Sequence, residues 1–412
     1  MATTLFYLIL GIIIVDFLFE RWLDYLNLKH FKPELPAELK DIYNRDKYRK
    51  SQQYLKANSR FSMINATFSF TLIIFMLAFF GFAWLDEMVR HFSSNNYVRT
   101  LLFFGILGLS TDILSLPFQL YGTFVIEEKF GFNKTTVLTF VTDKLKSWLV
   151  GGVIGGGILL FLQWAQASGG SAFWLIAFGG ISLFMILMAM FYTSLIVPLF
   201  SKLTPLEESE LKTAIEEMAE KAGFKLADVF VMDGSKRSTK ANAYFSGLGP
   251  KKKIILYDTL IEELTTEEVV AVLAHEIGHY RKNHIYKGLL LSLIQLFIMV
   301  FLLGKALVLP SFAQALGAHQ ISFYMGLLAF ALLYSPISFV LDIFMNLFSR
   351  KHEYQADAYA TAKGFGENLV NALIKLSVSS LSNLQPHPLY LFFHYSHPTL
   401  LQRKQAIEKQ ID

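Results

Sequence analysis

Long apolar runs alternate with polar stretches along this chain. Seven of the runs approach or exceed the 20 or so residues that a helix needs to cross a bilayer core. They cover 3–21, 62–86, 100–122, 148–166, 173–200, 286–309 and 321–348. The first lacks a basic leading region and is not followed by a small-residue cleavage site, so it reads as a retained anchor rather than a secretory leader. The stretch 201–285 breaks the pattern, being polar and mixed. Within it, 206–222 has apolar residues at Leu211, Ala214, Ile215 and Met218, the spacing of an amphipathic helix. Two short strand-like runs follow, Val229–Met232, ended by Asp233-Gly234, and Lys253–Tyr257. Asn242–Phe245 reads as a third, edge strand between them.

Composition agrees with a lipid-facing chain. Hydrophobic residues make up 53% and charged residues 17% of the 412, against about 25% charged in soluble domains. Mean hydropathy is +0.42. There is no cysteine, which excludes disulfides, thiolate metal sites and cysteine nucleophiles. A net charge of +4 gives no argument for a nucleic-acid partner.

The placement of charge is more telling. The loop 22–61 holds Lys29, Lys32, Lys40, Arg45, Lys47, Arg49, Lys50, Lys56 and Arg60, whereas 87–99 has only Arg90 and Arg99, and Ala167–Ala172 has no charge. Basic loops stay in the cytoplasm. That puts the amino terminus outside and 22–61, 123–147, 201–285 and 349–412 inside, an alternation consistent over seven spans. The expected organisation is therefore spans one to five in 1–200 and a cytoplasmic catalytic region in 201–285. Spans six and seven follow in 286–349, and C-terminal cytoplasmic helices in 350–412. Three carboxylates, Asp16, Asp112 and Asp342, fall in or near spans. Asp16 and Asp342 are expected near helix ends, reaching water. Asp112 sits mid-span and points to a wet interior, because a charge in hydrocarbon is costly.

The chemistry lies in His275-Glu276-Ile277-Gly278-His279. Thr265 and Glu268, three apart, form a capping-box start, so the motif falls on a helix. Two histidines four apart share one helix face and can hold one metal ion. Glu276, one step round, can reach a water on that ion and take its proton. A catalytic zinc has three protein ligands and one open position. His284 lies five residues past His279, rotated about 140° on a continuous helix, and reads as a surface residue. Glu353 and Asp357, four apart just after the last span, are better placed. Glu353 can be the third ligand, and Asp357 can accept the free N–H of a ligand histidine. On spacing alone the pair reads equally well as a solvated helix face.

These pieces do not stand alone. The block Leu116–Asn133, then Asp233–Ser238 with Ala241–Phe245, then His275–His279, Glu353–Asp357 and Ser396–Thr399 with Arg403 occur in order along the chain. Together they resemble the type I CaaX prenyl proteases, seven-spanning integral membrane zinc metallopeptidases. Lys50–Tyr54 resembles that family too. The resemblance implies a mainly α-helical polytopic fold whose spans enclose a water-filled chamber, with a small α+β zincin-like catalytic region. It implies one zinc ion held by His275, His279 and Glu353, with Glu276 as general base. Asn242, Ala243, Tyr244 and Phe245 would hold the substrate backbone as an added strand, a role suited to an edge strand's unpaired groups. His397 would stabilise the oxyanion, with Asp357 and Arg403 supporting the site. Without the resemblance, His397 reads equally well as a helix-start residue before Pro398. Asp233–Arg237 reads as a structural turn.

The expected partners are a peptide or lipidated-protein substrate and membrane lipid. The chain ends Lys-Gln-Ile-Asp, without an endoplasmic-reticulum retrieval signal, and lacks long insertions. This compactness favours a bacterial plasma-membrane protein, with the site on the cytoplasmic side. Two other readings compete. One is a quality-control protease with no need of a prenyl group. The other is a channel or transporter with a structural zinc, disfavoured because such a zinc is usually closed by four protein ligands.

Overall fold

The computed structural model describes residues 1–31, 34–36, 39–40, 42–222, 228–247 and 253–411. Lys32 of the basic loop and Asp412 lie outside them. The chain opens with α1 (Ala2–His30), α2 (Arg45–Ala78), α3 (Gly81–Phe92) and α4 (Asn96–Tyr121), then a π-helical turn and the short α5 (Glu128–Phe130). Next come α6 (Val137–Gly169), α7 (Phe173–Leu195) and α8 (Val197–Phe200). Among the described residues, six helical stretches are long and apolar enough to cross a membrane. One of them, Val137–Phe200, turns back at Gly170, where φ is +49°, into two helices that pack on each other. Seven crossings follow from this, in a multi-pass integral membrane protein.

Several boundaries differ from those expected. The run 62–86 is not one helix. The chain breaks at Phe79–Phe80, with Phe80 in the left-handed region, and α3 leaves in a new direction. Hydropathy continues across this break, so the apolar pattern could not show it. The helices also extend past their apolar windows. Asp16 lies mid-way along α1, accepting a hydrogen bond from Ser335 Oγ at 2.7 Å, and is not at a helix end as expected. Asp342 is likewise well inside a helix. Asp112 is held by Lys144 at 2.8 Å, Trp148 Nε1 at 2.8 Å and Gln119 at 3.1 Å.

The second half begins with β1 (Leu203–Pro205), α9 (Glu210–Lys221), β2 (Asp228–Met232), β3 (Ala243–Ser246) and β4 (Lys253–Tyr257). The sheet order is β1-β2-β4-β3, with β2 and β4 parallel and β3 an antiparallel edge strand. Helix α9 starts later than 206 because Ser209 caps it, accepting from Lys212 N. It buries Leu211, Ile215 and Met218 as the periodicity predicts. Then follow α10 (Asp258–Glu263), α11 (Thr266–Arg281), α12 (His284–Leu307), α13 (Pro310–Ala315) and α14 (Phe323–Ala362). The chain closes with α15 (Gly366–Ser379), α16 (Pro388–His394) and α17 (Leu400–Ile411). Helix α14 is unbroken over 40 residues despite Pro336. The last span and the segment with Glu353 are thus one rod, and the expected boundary at 349/350 falls inside it.

The crossing helices form a ring. Helix α1 packs on α2 and α14, α14 on α12, α12 on α7, α7 on α6, and α6 on α4. Phe61 and Phe68 of α2 meet Phe118 of α4 and close the circuit. Only 6–22% of each apolar window is buried, so most of the apolar surface of these helices is left uncovered by protein. At one end, α3, α13 and the start of α14 form a plug around Phe82, Val89, Phe103 and Tyr324. At the other, the basic loop packs on the C-terminal region through Leu39, Tyr43, Leu384 and Leu400. The four-stranded sheet is tied to that same end, since Arg237 grips Asp143 of α6 in two bonds of 2.7 and 2.9 Å and donates to Phe200 O. Arg237 is therefore a structural clamp, in keeping with the turn read at 233–237.

Candidate metal centre and active site

Helix α11 starts where the capping box predicts. Thr265 Oγ1 accepts from Glu268 N while Glu268 Oε2 accepts from Thr265 N. The helix runs through the hydrophobic core of this half, burying Val269, Leu273 and Ile277 against α9, β4 and α15. That leaves the face with His275 and His279 turned toward α14. Gly278 permits the approach. A Cβ there would lie 3.0 Å from the Ala356 Cα and carbonyl oxygen, so the two backbones touch. Gly278→Ala is accordingly expected to cost roughly 1–3 kcal/mol through overpacking. It should also weaken metal binding by moving Glu353 off its partners. Thermal unfolding and metal titration of the same preparation check this, and a variant indistinguishable in both rules out the close-approach account.

The approach brings three donor groups together. His275 Nε2 and His279 Nε2 are 3.1 Å apart, Glu353 Oε1 is 3.3 Å from His279 Nε2, and Glu353 Oε2 is 3.6 Å from His275 Nε2. Ligands at about 2.1 Å in tetrahedral array sit roughly 3.4 Å apart, so these spacings suit one small cation. Among the described residues these three are the one group that could hold a metal ion. Both imidazoles present Nε2 inward because their Nδ1 atoms are engaged. His275 Nδ1 is 2.8 Å from Asp357 Oδ1, and His279 Nδ1 is 3.0 Å from His284 Nδ1. Electrostatics favours positive charge here. Burial lowers the His279 pKa, yet the hydrogen bond and charge of Glu353 and the charge of Glu276 leave it above the ordinary histidine value.

Glu276 follows His275 on α11 and is not one of the three converging donors. Burial lifts its carboxyl above the ordinary carboxylate range, the direction that suits a proton acceptor near neutral pH. Arg403, buried on α17, donates to Asp357 from Nε at 2.9 Å and Nη2 at 2.6 Å, and its Nη1 lies 3.4 Å from Glu353. Burial alone would lower its pKa, but the Asp357 charge and hydrogen bond outweigh that and raise it. His397 is mostly exposed, with Nε2 3.4 Å from Glu353 Oε1 and Nδ1 2.9 Å from Ser396 Oγ. The structure thus gathers His275, Glu276, His279, Glu353, Asp357, His397 and Arg403 at one place. Asn242 stands at the entry to the edge strand, its Oδ1 accepting from Ala243 N and its carbonyl from Tyr257 N. β3 is one residue later than expected, Ala243–Ser246 instead of 242–245.

His284 corrects an expectation. It is buried, 5% exposed, and not a surface residue. A rotation of about 140° holds only on one continuous helix, but α11 ends at Arg281, Asn283 adopts φ +58°, and α12 begins at His284. Gln355 and Arg350 were also missed. Arg350 donates to the carbonyls of Leu391, Phe392 and Tyr395, pinning the C-terminal end of α16, which leads to His397.

A ring of membrane helices with a His-His-Glu group able to hold a metal ion, and the half-buried Glu276 carboxylate beside it, is the arrangement of a membrane-embedded metallopeptidase. Residues 24–202 match the N-terminal region of CAAX prenyl proteases, described as five membrane helices, and 205–411 match peptidase family M48. The chain belongs to family M48, whose membership implies a bound metal. It is 36% identical to CAAX prenyl protease 1 of Saccharomyces cerevisiae over 97% of this chain and 94% of that one. It is 35% identical to the CAAX prenyl protease 1 homolog of Arabidopsis thaliana over 97% and 96%. The crystal structure of S. mikatae Ste24p superposes with a TM-score of 0.93 at 35% identity, covering 98% of this chain and 99% of the other.

Proposed function

We propose that this metallopeptidase is a zinc endopeptidase that removes the C-terminal tripeptide from prenylated proteins ending in a CaaX motif. The observation that carries the reading is the convergence of His275 Nε2, His279 Nε2 and the Glu353 carboxylate beside Glu276, in a chain whose curated relatives bear the name CAAX prenyl protease 1. Two nitrogens and one carboxylate form a donor set typical of catalytic zinc. Zinc held there supplies a Lewis acid that polarises the scissile carbonyl and acidifies water.

The protein groups do the rest. Glu276 takes the proton of the attacking water and delivers it to the leaving amine. His397, exposed beside Glu353, donates to the oxyanion. The substrate backbone lies along Asn242, Ala243, Tyr244 and Phe245, at and within the strand β3 that ends the sheet order. Asp357 and Arg403 hold the ligands in register. The reaction takes place on the cytoplasmic side, the side the basic loop 22–61 favours. That loop packs at the same end of the molecule as α15 and α17. The compact length of 412 residues does not set a bacterial plasma membrane apart, since the yeast and Arabidopsis relatives match over 94% and 96% of their own length.

The test sets a farnesylated CaaX peptide against the same peptide without the lipid, using purified protein in detergent. Tripeptide release from the farnesylated form, lost on chelation and restored by zinc, is the expected result. Equal turnover of both peptides would favour the quality-control reading, which needs no prenyl group.

A further inference from the structure

We propose that His284 is a positioning residue for the metal site. Held between His279 and Gln355, it keeps His279 in the tautomer whose Nε2 is free to bind a metal. The inference rests on the reading of His279 as a ligand and adds a second relay to the one His275 forms with Asp357.

The geometry is specific. His279 Nδ1 and His284 Nδ1 are 3.0 Å apart, so one of them carries the hydrogen and the other the lone pair. His284 Nε2 lies 2.8 Å from Gln355 Oε1. An amide oxygen only accepts, which puts a hydrogen on His284 Nε2. In the neutral ring Nδ1 is then the acceptor, and it takes the Nδ1–H of His279. His279 is left with its lone pair on Nε2, the atom that faces His275 and Glu353.

The surroundings hold this chain of contacts in place. His284 is 5% exposed and stacks on His352 with ring centroids 3.9 Å apart and planes 11° apart. His352 and Gln355 flank Glu353 on α14, so the helix that brings the third ligand also brings both neighbours of His284. The left-handed turn at Asn283 folds α12 back so that its first residue reaches beneath the second ligand. The two ligand histidines are thus backed differently, His275 by a carboxylate and His279 by a neutral imidazole–amide pair. Partners of this kind typically change metal affinity 10–100-fold when removed.

The experiment measures zinc affinity of the purified full-length protein by chelator competition, at one pH, together with thermal unfolding. His284→Phe keeps a flat ring against His352 but removes the acceptor. It should bind zinc about 10–100-fold more weakly. His284→Gln offers an amide oxygen to His279 Nδ1 and should recover part of that loss. A purely structural role for His284 predicts no such difference between the two. Wild-type affinity in a folded His284→Phe protein overturns the proposal, as does an equal loss in both variants. Should His284→Phe fail to fold, Gln355→Leu decides: affinity lowered severalfold supports the relay, and unchanged affinity overturns it. His279→Ala is the control for the underlying reading. If it binds zinc like the wild type, His279 is not a ligand, a failure distinct from that of the relay.

Discussion

Glu276→Gln is expected to lower peptide cleavage by about 10³-fold while leaving metal content unchanged, the mid-range loss for a general acid–base group. Glutamine has nearly the same shape, so the packing around α11 is preserved, but its amide cannot take a proton from water. The ligand triangle should be untouched, since the donors that converge are His275, His279 and Glu353 and exclude Glu276. A thousandfold loss corresponds to about 4 kcal/mol of transition-state stabilisation. Burial makes the contrast sharper. It raises the Glu276 pKa, giving a stronger base than an exposed carboxylate, whereas the amide has no basicity to raise. Turnover of the farnesylated peptide and elemental analysis should be measured on one preparation. Full turnover would remove Glu276 from the role of base. Loss of metal would mean that it helps to hold the ion.

The parts of this molecule that were legible in the sequence are those governed by short-range rules. Apolar runs long enough to span identify membrane helices because unsatisfied backbone cannot sit in lipid. The helix-turn spacing of His275 and His279 and the capping box at Thr265 are local in the same sense. What escaped depends on residues far apart in the chain. Phe79–Phe80 is as apolar as its neighbours, and only the packing of α3 against α13 and α14 shows why the helix must bend there. The continuity of α14 was hidden because its composition changes from apolar to charged at Ser349–Lys351, although the backbone does not change at all.

His284 shows the limit most clearly. Counting residues round a helix was sound arithmetic applied to a helix that ends three residues earlier, at Arg281. Asn283 was the available signal, because asparagine tolerates the left-handed region better than most residues. Its meaning emerges only with Gln355, 71 positions away, on the other side of the contact. Edge strand β3, by contrast, was read to within one residue, since alternation and the flanking turn residues are local. The ring arrangement of the spans rests on contacts between helices and has no counterpart in any single segment.

Arg403→Met should produce the largest loss of stability, on the order of 3–5 kcal/mol, the usual cost of removing one partner from a buried ion pair. Asp357 is 1% exposed and takes two hydrogen bonds from the guanidinium. Without them its charge keeps only the His275 contact, in a site where Glu353 is also 5% exposed. Methionine fills much of the volume, so the effect reports charge and hydrogen bonding more than a cavity. Lysine should rescue little, because an ammonium cannot reproduce the two-pronged contact. Adding Asp357→Leu to Arg403→Met should recover part of the stability, as replacing both members of a buried pair with apolar groups often does. Metal affinity should stay low in the double variant, since His275 has then lost the acceptor at Nδ1. Thermal unfolding of the single and double variants, beside Glu276→Gln as a variant of wild-type stability, separates these effects. If Arg403→Met unfolds at the wild-type temperature, the buried Arg403–Asp357 pair does not hold the C-terminal helix to the metal site.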